Sequence, residues 1–260
     1  MLRPRIIPCL LIKNDGLVKT VRFGNPKYVG DPINAVRLFN EKEVDELIVV
    51  DIEATVQKRE PNYSMISSLA AECRMPLCYG GGVTTVDQVL RIISLGVEKI
   101  ALSAAAARTP DLISAVAERV GSQSVVVVMD VKKSGLLRRY EVFTHNGTRS
   151  TGLDPVNFAQ RVAALGAGEV VVSSIDRDGE MKGYDMELIA RIREAITLPL
   201  TVLGGAGSLD DIEDVIRSFG VIGVAAGSLF VFKGKYRAVL INYPGANEKD
   251  ELLLRAGVTA

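Results

Sequence analysis

Leu198-Pro-Leu-Thr-Val-Leu-Gly-Gly-Ala-Gly207, followed by Ser208-Leu-Asp-Asp-Ile, reads as a short buried strand, a glycine turn and a helix start. A twin lies earlier, Met75-Pro-Leu-Cys-Tyr-Gly-Gly-Gly82 followed by Val83-Thr-Thr-Val-Asp-Gln. Both run Pro-Leu, apolar strand, glycine cluster, polar cap, amphipathic helix. Backbone approaches an anion closely only where side chains are missing, and a following helix start adds N–H groups and a favourable dipole. Each copy is therefore a candidate phosphate cradle, and two copies suggest a ligand with a phosphate at each end.

The repeat extends outward. Ser124-Val-Val-Val-Val-Met-Asp130 echoes Arg5-Ile-Ile-Pro-Cys-Leu-Leu11, and Gly168-Glu-Val-Val-Val-Ser-Ser-Ile-Asp176 echoes Asp45-Glu-Leu-Ile-Val-Val-Asp-Ile-Glu53. Ser94-Leu-Gly-Val-Glu-Lys-Ile100 is echoed by Ser218-Phe-Gly-Val-Ile-Gly-Val224. Two halves on one plan, about 1–122 and 123–260, give four strands each. Strands are expected at 5–12, 45–52, 76–79, 99–102, 124–130, 169–174, 200–203 and 220–226. They are continuous apolar runs, as in a parallel sheet covered by helices, and eight strand–helix units predict one α/β domain, a (βα)8 TIM barrel over 1–260.

Composition fits. Of 260 residues 48% are hydrophobic, and 31 basic residues balance 31 acidic ones, which gives no electrostatic footprint for nucleic acid. Cys9, Cys73 and Cys78 have neither zinc nor disulfide spacing and suit a reducing, cytoplasmic location. No signal peptide, membrane span, metal or cofactor signature is visible.

Between strands, Asn14 to Gly30 is too long for an ordinary turn and carries Lys19 and Arg22; a mobile flap over a site is favoured over a surface hairpin. Asp31 caps a helix with Pro32 at its first position. Lys132 to Thr151 reads as a hairpin turning at Asn146-Gly147, with the single histidine, His145, a solvated residue of its tip. The tail from Lys233 reads as a last helix and a frayed end. In such barrels the active site lies at the C-terminal strand ends. These ends place Leu11, Asp51, Asp130, Ser173-Ser174 and the Asp176-Arg-Asp178-Gly179 turn, and Gly227-Ser228, around one mouth. Asp51 reads equally as a cap or loop hydrogen-bonder. Asp130 is the candidate general acid or base.

The stretches Arg5-Ile-Ile-Pro-Cys-Leu, Gly80-Gly-Gly, Gly121-Ser-Gln-Ser-Val-Val-Val-Val-Met-Asp130, Ser174-Ile-Asp-Arg-Asp-Gly179 and Gly204-Gly-Ala-Gly207 resemble the HisF family, the cyclase subunit of imidazole glycerol phosphate synthase. The resemblance covers nearly the whole chain. It implies ammonia made by a separate HisH-like glutaminase, conducted through the barrel and added to a phosphoribosyl-formimino nucleotide with two phosphates. The products are imidazole glycerol phosphate and an aminoimidazole carboxamide ribotide. Of the two aspartates that the family uses, the second matches Asp130 and the first falls on Leu11, which moves no proton. The implied ligand positions are Lys19, Asp51, Gly81, Gly82, Ser103, Asp178, Gly179, Gly205, Gly227 and Ser228. The family's Asn-Thr pair appears as Ser103-Ala104, and a family serine falls on Leu203. At the opposite mouth, where the glutaminase docks, the family's charged ring is matched by Arg5, Glu46, Lys99 and Glu169, an implied ammonia gate.

This split resembles a HisF-like branch that serves acetamidino modification of surface sugars, in which ammonia goes to an N-acetyl sugar amidotransferase. Lys19-Thr-Val-Arg-Phe, Pro26-Lys-Tyr-Val-Gly-Asp-Pro-Ile-Asn-Ala-Val and Val239-Leu-Ile-Asn-Tyr-Pro are also similar to that branch. The expected function is ammonia delivery for a nucleotide sugar in lipopolysaccharide O-antigen synthesis. The alternatives are the histidine-pathway cyclase itself and a scaffold that only activates a glutaminase.

Overall fold

Eight parallel strands close on themselves in a computed structural model that describes residues 3–258. They are β1 (Arg5–Lys13), β2 (Leu47–Asp51), β3 (Leu77–Gly80), β4 (Lys99–Leu102), β5 (Val125–Ser134), β6 (Glu169–Ser174), β7 (Leu200–Leu203) and β8 (Gly223–Ala226). Each pairs with the next, β8 returns to β1 through Arg5 opposite Gly223, and the fold is a (βα)8 barrel. The helices α1 (Pro32–Glu41), α2 (Tyr63–Glu72), α3 (Val86–Ser94), α4 (Asp111–Val120), α5 (Pro155–Ala164), α6 (Met186–Ala195) and α7 (Leu209–Phe219) surround it, and α8 (Ala246–Arg255) follows.

Side-chain alternation divides the apolar residues into two cores. Outward-facing residues such as Ile6, Leu10, Val49, Val127 and Val172 pack under the helices. Inward-facing Ile7, Cys9, Ile48, Cys78, Ala101, Val126, Val171 and Ala225 fill the barrel, and Leu11, Val50, Val128 and Leu203 lie against them. Burial on both faces explains why the strands read as unbroken apolar runs. Cys9 and Cys78 are buried free thiols of this inner core, and burial pushes the Cys9 thiol up to about 11.

Helix starts follow local chemistry. The Asp31 side chain accepts from Asn34 N with Pro32 in the first turn, and Asp154 does the same for Asn157 N ahead of Pro155. Thr85 with Gln88 and Ser208 with Asp211 form capping boxes on α3 and α7.

The connections depart from expectation in three places. The Asn14–Gly30 segment is an antiparallel hairpin rather than a flap: Gly16–Val21 pairs with the end of β1 and then with Gly24–Gly30. Lys132–Thr151 holds two turns, because β5 continues to Ser134 and pairs with Arg139–Thr144 before the His145–Gly147 turn. In the tail, Tyr236 to Pro244 is not helical: Ala238–Val239 pairs with Phe232–Lys233, and only Ala246–Arg255 is a helix. The expected frayed end falls partly on residues 259–260, outside the described residues.

Candidate functional site

The strand order brings eleven sequence-predicted residues to one mouth. Asp130, Lys19, Asp51, Gly81, Gly82, Ser103, Asp178, Gly179, Gly205, Gly227 and Ser228 all line a single pocket at the C-terminal ends of the strands. Leu11, Val50, Val128 and Leu203 form its apolar floor.

The carboxylates there are not equivalent. Asp51 Oδ1 accepts from Glu53 N and Ala54 N at 2.9 and 3.0 Å, and its Oδ2 lies 3.5 Å from Arg59. It caps its own loop. Asp178 Oδ2 accepts from Thr20 Oγ1 at 2.7 Å and Phe23 N at 3.1 Å, which pins the hairpin. Among the described residues Asp130 has only a long contact, 3.5 Å, from Ser103 Oγ. Burial, reinforced by the Asp178 charge, pushes the Asp130 carboxyl up to about 7, with Ser103 pulling weakly the other way. It is therefore the mouth carboxyl poised to carry a proton near neutral pH. Leu11, on β1, offers no partner for that proton.

Lys19, on the first strand of the hairpin, is buried, and its ammonium donates to the Cys9 carbonyl at 3.0 Å. Burial lowers its pKa, partly offset by Cys9 and Asp178. A Cβ on Gly227 would collide with this amine, so Gly227 makes room for Lys19. The other glycines have similar reasons. Gly82 has φ +74°, and a Cβ there would sit 2.8 Å from the Arg59 carbonyl; one on Gly205, φ +119°, would strike the Gly183 carbonyl. The rim loops cross too closely for side chains, and this packing accounts for these glycines without a ligand.

The phosphate-cradle expectation is corrected in one respect. Thr84 N and Thr85 N donate to Gln88 Oε1 at 2.8 and 3.2 Å, and Gly207 N and Ser208 N donate to Asp211 Oδ2 at 2.7 and 3.0 Å. The starts of α3 and α7 are thus occupied by their own capping side chains. The helix starts that face the mouth belong to two short turns, Ala104–Arg108 after Ser103 and Ser228–Val231 after Gly227, and neither has a side-chain cap.

His145 lies in the expected turn and is half-buried. It lines the mouth with Asn146 and Phe23, and its Nδ1 lies 3.0 Å from Thr144 Oγ1. Burial, then the charges of Arg149 and Arg108, lower its pKa. Its approach to the mouth is not evident from the sequence, because the turn's direction depends on the additional strand pair before it.

At the other end of the barrel, Arg5, Glu46, Lys99 and Glu169 meet in a closed ring. Arg5 pairs with Glu46 and, at 2.8 Å, with Glu169; Lys99 pairs with Glu46 at 2.8 Å and Glu169 at 2.9 Å. Burial opposes charge on Arg5 and Lys99, but Glu169 and Glu46 outweigh it and raise both. Burial likewise opposes charge on Glu169, but Arg5, Lys99 and a Thr201 hydrogen bond hold it below the usual range.

Residues 5–237 match the family model for histidine biosynthesis proteins. The chain belongs to the HisF family. It is 58% identical over 252 residues, 97% of this chain and 99% of the relative, to a Leptospira borgpetersenii protein named "Putative imidazole glycerol phosphate synthase subunit HisF". It is 53% identical over 253 residues to the corresponding hisF3 protein of Vibrio vulnificus, covering 97% of each. An imidazole glycerol phosphate synthase subunit HisF of Alkaliphilus metalliredigens is 40% identical over 230 residues, 88% of this chain and 91% of that one. In this HisF-family barrel the two mouths differ in kind: a complete ring of charges at one, and an apolar floor with a lone poised carboxyl at the other.

Proposed function

We propose that this chain is the ammonia-conducting barrel of a glutamine-dependent amidotransferase complex. A HisH-like glutaminase docks over the Arg5–Glu46–Lys99–Glu169 ring, as the word "subunit" in the relatives' names suggests. Ammonia enters there, passes the small inner side chains Cys78, Ala101 and Ala225, and leaves beside Asp130. The acceptor is the acetamido group of a nucleotide sugar held by an N-acetyl sugar amidotransferase. The pathway is acetamidino modification of lipopolysaccharide O-antigen.

One observation carries the reading: Leu11 stands at the mouth where a cyclase needs the partner of Asp130. Loss of a positioned acid or base costs about 10²–10⁴ in rate. Leu203 and Ala104 line the same mouth and make it more apolar. The second reading, a cyclase of histidine biosynthesis, is favoured by Asp130 itself, whose carboxyl at about 7 suits acid–base work.

The test supplies the phosphoribosyl-formimino nucleotide and ammonium salts to the purified chain, which bypasses the glutaminase. The expected result is no turnover from a folded protein that still stimulates its glutaminase. Robust turnover would establish the cyclase instead.

A further inference from the structure

The charged mouth holds a neutral member. Thr201, on β7, is fully buried; its hydroxyl donates to Glu169 Oε1 at 2.5 Å and accepts from Arg5 Nη2 at 3.3 Å. Arg5 Nη2 also donates to that same Oε1, at 2.8 Å. One oxygen of Glu169 is thus held from two strands, while Oε2 accepts from Lys99 at 2.9 Å and, at the longer distance of 3.4 Å, from Arg5 Nη1. Glu46 has no such neutral anchor among the described residues: its side chain is held by Arg5 and Lys99. On β8, Gly223 pairs in register with both Thr201 and Arg5. A Cβ on Gly223 would fall inside the Thr201 hydroxyl and lie 3.2 Å from Arg5 Nη2.

We propose that Thr201 is a positioning residue of the charged ring, fixing Glu169 so that its second oxygen faces Lys99, and that Gly223 is the glycine whose missing side chain makes room for it. A hydroxyl costs little to bury when both its donor and acceptor roles are used, and here they are. The ring is consequently rigid on its β6–β7–β8 side and depends on the two cations alone on its β2 side.

The positioning claim stands on this chain alone; only its consequence for ammonia rests on the proposed function. The experiment reads the titration of the Glu169 carboxyl by carbon NMR in the purified protein. The charged or titratable groups facing it are Arg5, Lys99, Glu46 and Cys78. Thr201→Val keeps the shape and removes the hydroxyl, and the Glu169 midpoint is expected to rise by roughly 0.5–1 pH unit. Thr201→Ser is expected to restore it. Gly223→Ala should raise it as Thr201→Val does. Should that variant not fold, Thr201→Ala combined with Gly223→Ala removes the hydroxyl from the collision, leaving approaches of 3.0 Å to the residue-201 Cβ and 3.2 Å to Arg5 Nη2, and should match Thr201→Ala alone. A wild-type midpoint in Thr201→Val, or an equal shift in Thr201→Ser, overturns the role of Thr201. A wild-type midpoint in Gly223→Ala, or a double variant shifted beyond Thr201→Ala, overturns the role of Gly223. The ratio of glutamine hydrolysed to ammonia delivered is then measured in the glutaminase complex. A moved midpoint with an unchanged ratio would leave Thr201 in place as a positioning residue and remove the ring from the ammonia path.

Discussion

Asp130 lies half-buried where the apolar run of β5 ends, and this placement has a thermodynamic consequence. Its carboxyl titrates at about 7 in the fold against 3.8 in the free group. Between those values the native state binds the proton that the unfolded chain has released, so this group's contribution to stability falls as pH rises through that window. The slope is about 1.4 kcal/mol per pH unit at its steepest, lessened by water in the open mouth. Asp130→Asn removes the titration. Its melting temperature is expected to match the parent near pH 4 and to exceed it by several degrees at pH 8; an equal difference at both pH values would remove the buried-carboxyl account. Leu11→Asp places a second carboxyl on the same floor. If the rest of the pocket serves a cyclase, residual imidazole glycerol phosphate formation should rise by about 10²-fold or more. No gain would put the weight on Leu203 and Ala104. Both residues were legible in the sequence, because each sits at a strand end whose position the apolar run defines. The turn position of His145 was legible too, but its approach to the mouth was not, because that depends on pairing between Val125–Ser134 and Arg139–Thr144.

Elements were legible wherever their signals are local. Asp31-Pro32, Thr85 with Gln88, and Ser208 with Asp211 start helices through contacts spanning three residues. The hairpin over the mouth was not legible, for a definable reason. Its tip places Arg22 and Phe23 at φ +49° and +61°, left-handed values normally met by Asn-Gly in a two-residue turn. What holds this unfavourable turn is Asp178, 155 residues from Phe23 in the chain: its carbonyl accepts from Arg22 N at 2.9 Å and its carboxylate from Phe23 N and Thr20. Asn14-Asp15, also left-handed and followed by Gly16, is the turn signal that the flap reading passed over. Asp178→Ala should therefore free the hairpin selectively. Hydrogen exchange at Phe23 is expected to accelerate strongly while amides of β5 and β6 keep their protection, with a global loss of about 1–3 kcal/mol. Uniform loss of protection would mean that the hairpin is part of the cooperative core.

At the scale of the molecule, one barrel axis joins two chemically opposite ends. Arg5, Lys99 and Glu169 begin their strands and Glu46 immediately precedes β2, so the barrel closure itself assembles the ring; sequence reading reached these charges through family resemblance, and Thr201 escaped it because no charge marks it. Leu11, Asp130 and Leu203 lie at the opposite mouth of the barrel, separated from the ring by the inner core. Lys99→Ala tests whether the two ends communicate through that interior. Breaking a buried ion pair usually costs about 3–5 kcal/mol because a charge is stranded. Here both glutamates keep Arg5, and Glu169 keeps Thr201, so the cost should fall below that range and the barrel should fold. Without the ammonium bridge the ring is open on one side. If the ring meters ammonia, glutamine hydrolysed per ammonia delivered should rise, while reaction supplied directly with ammonium salts stays at the parent level. If the barrel only activates its glutaminase, glutaminase rate alone should change and the ratio should not. An unchanged ratio with an unchanged glutaminase rate would leave the ring as a stabilising device at the barrel's closed end.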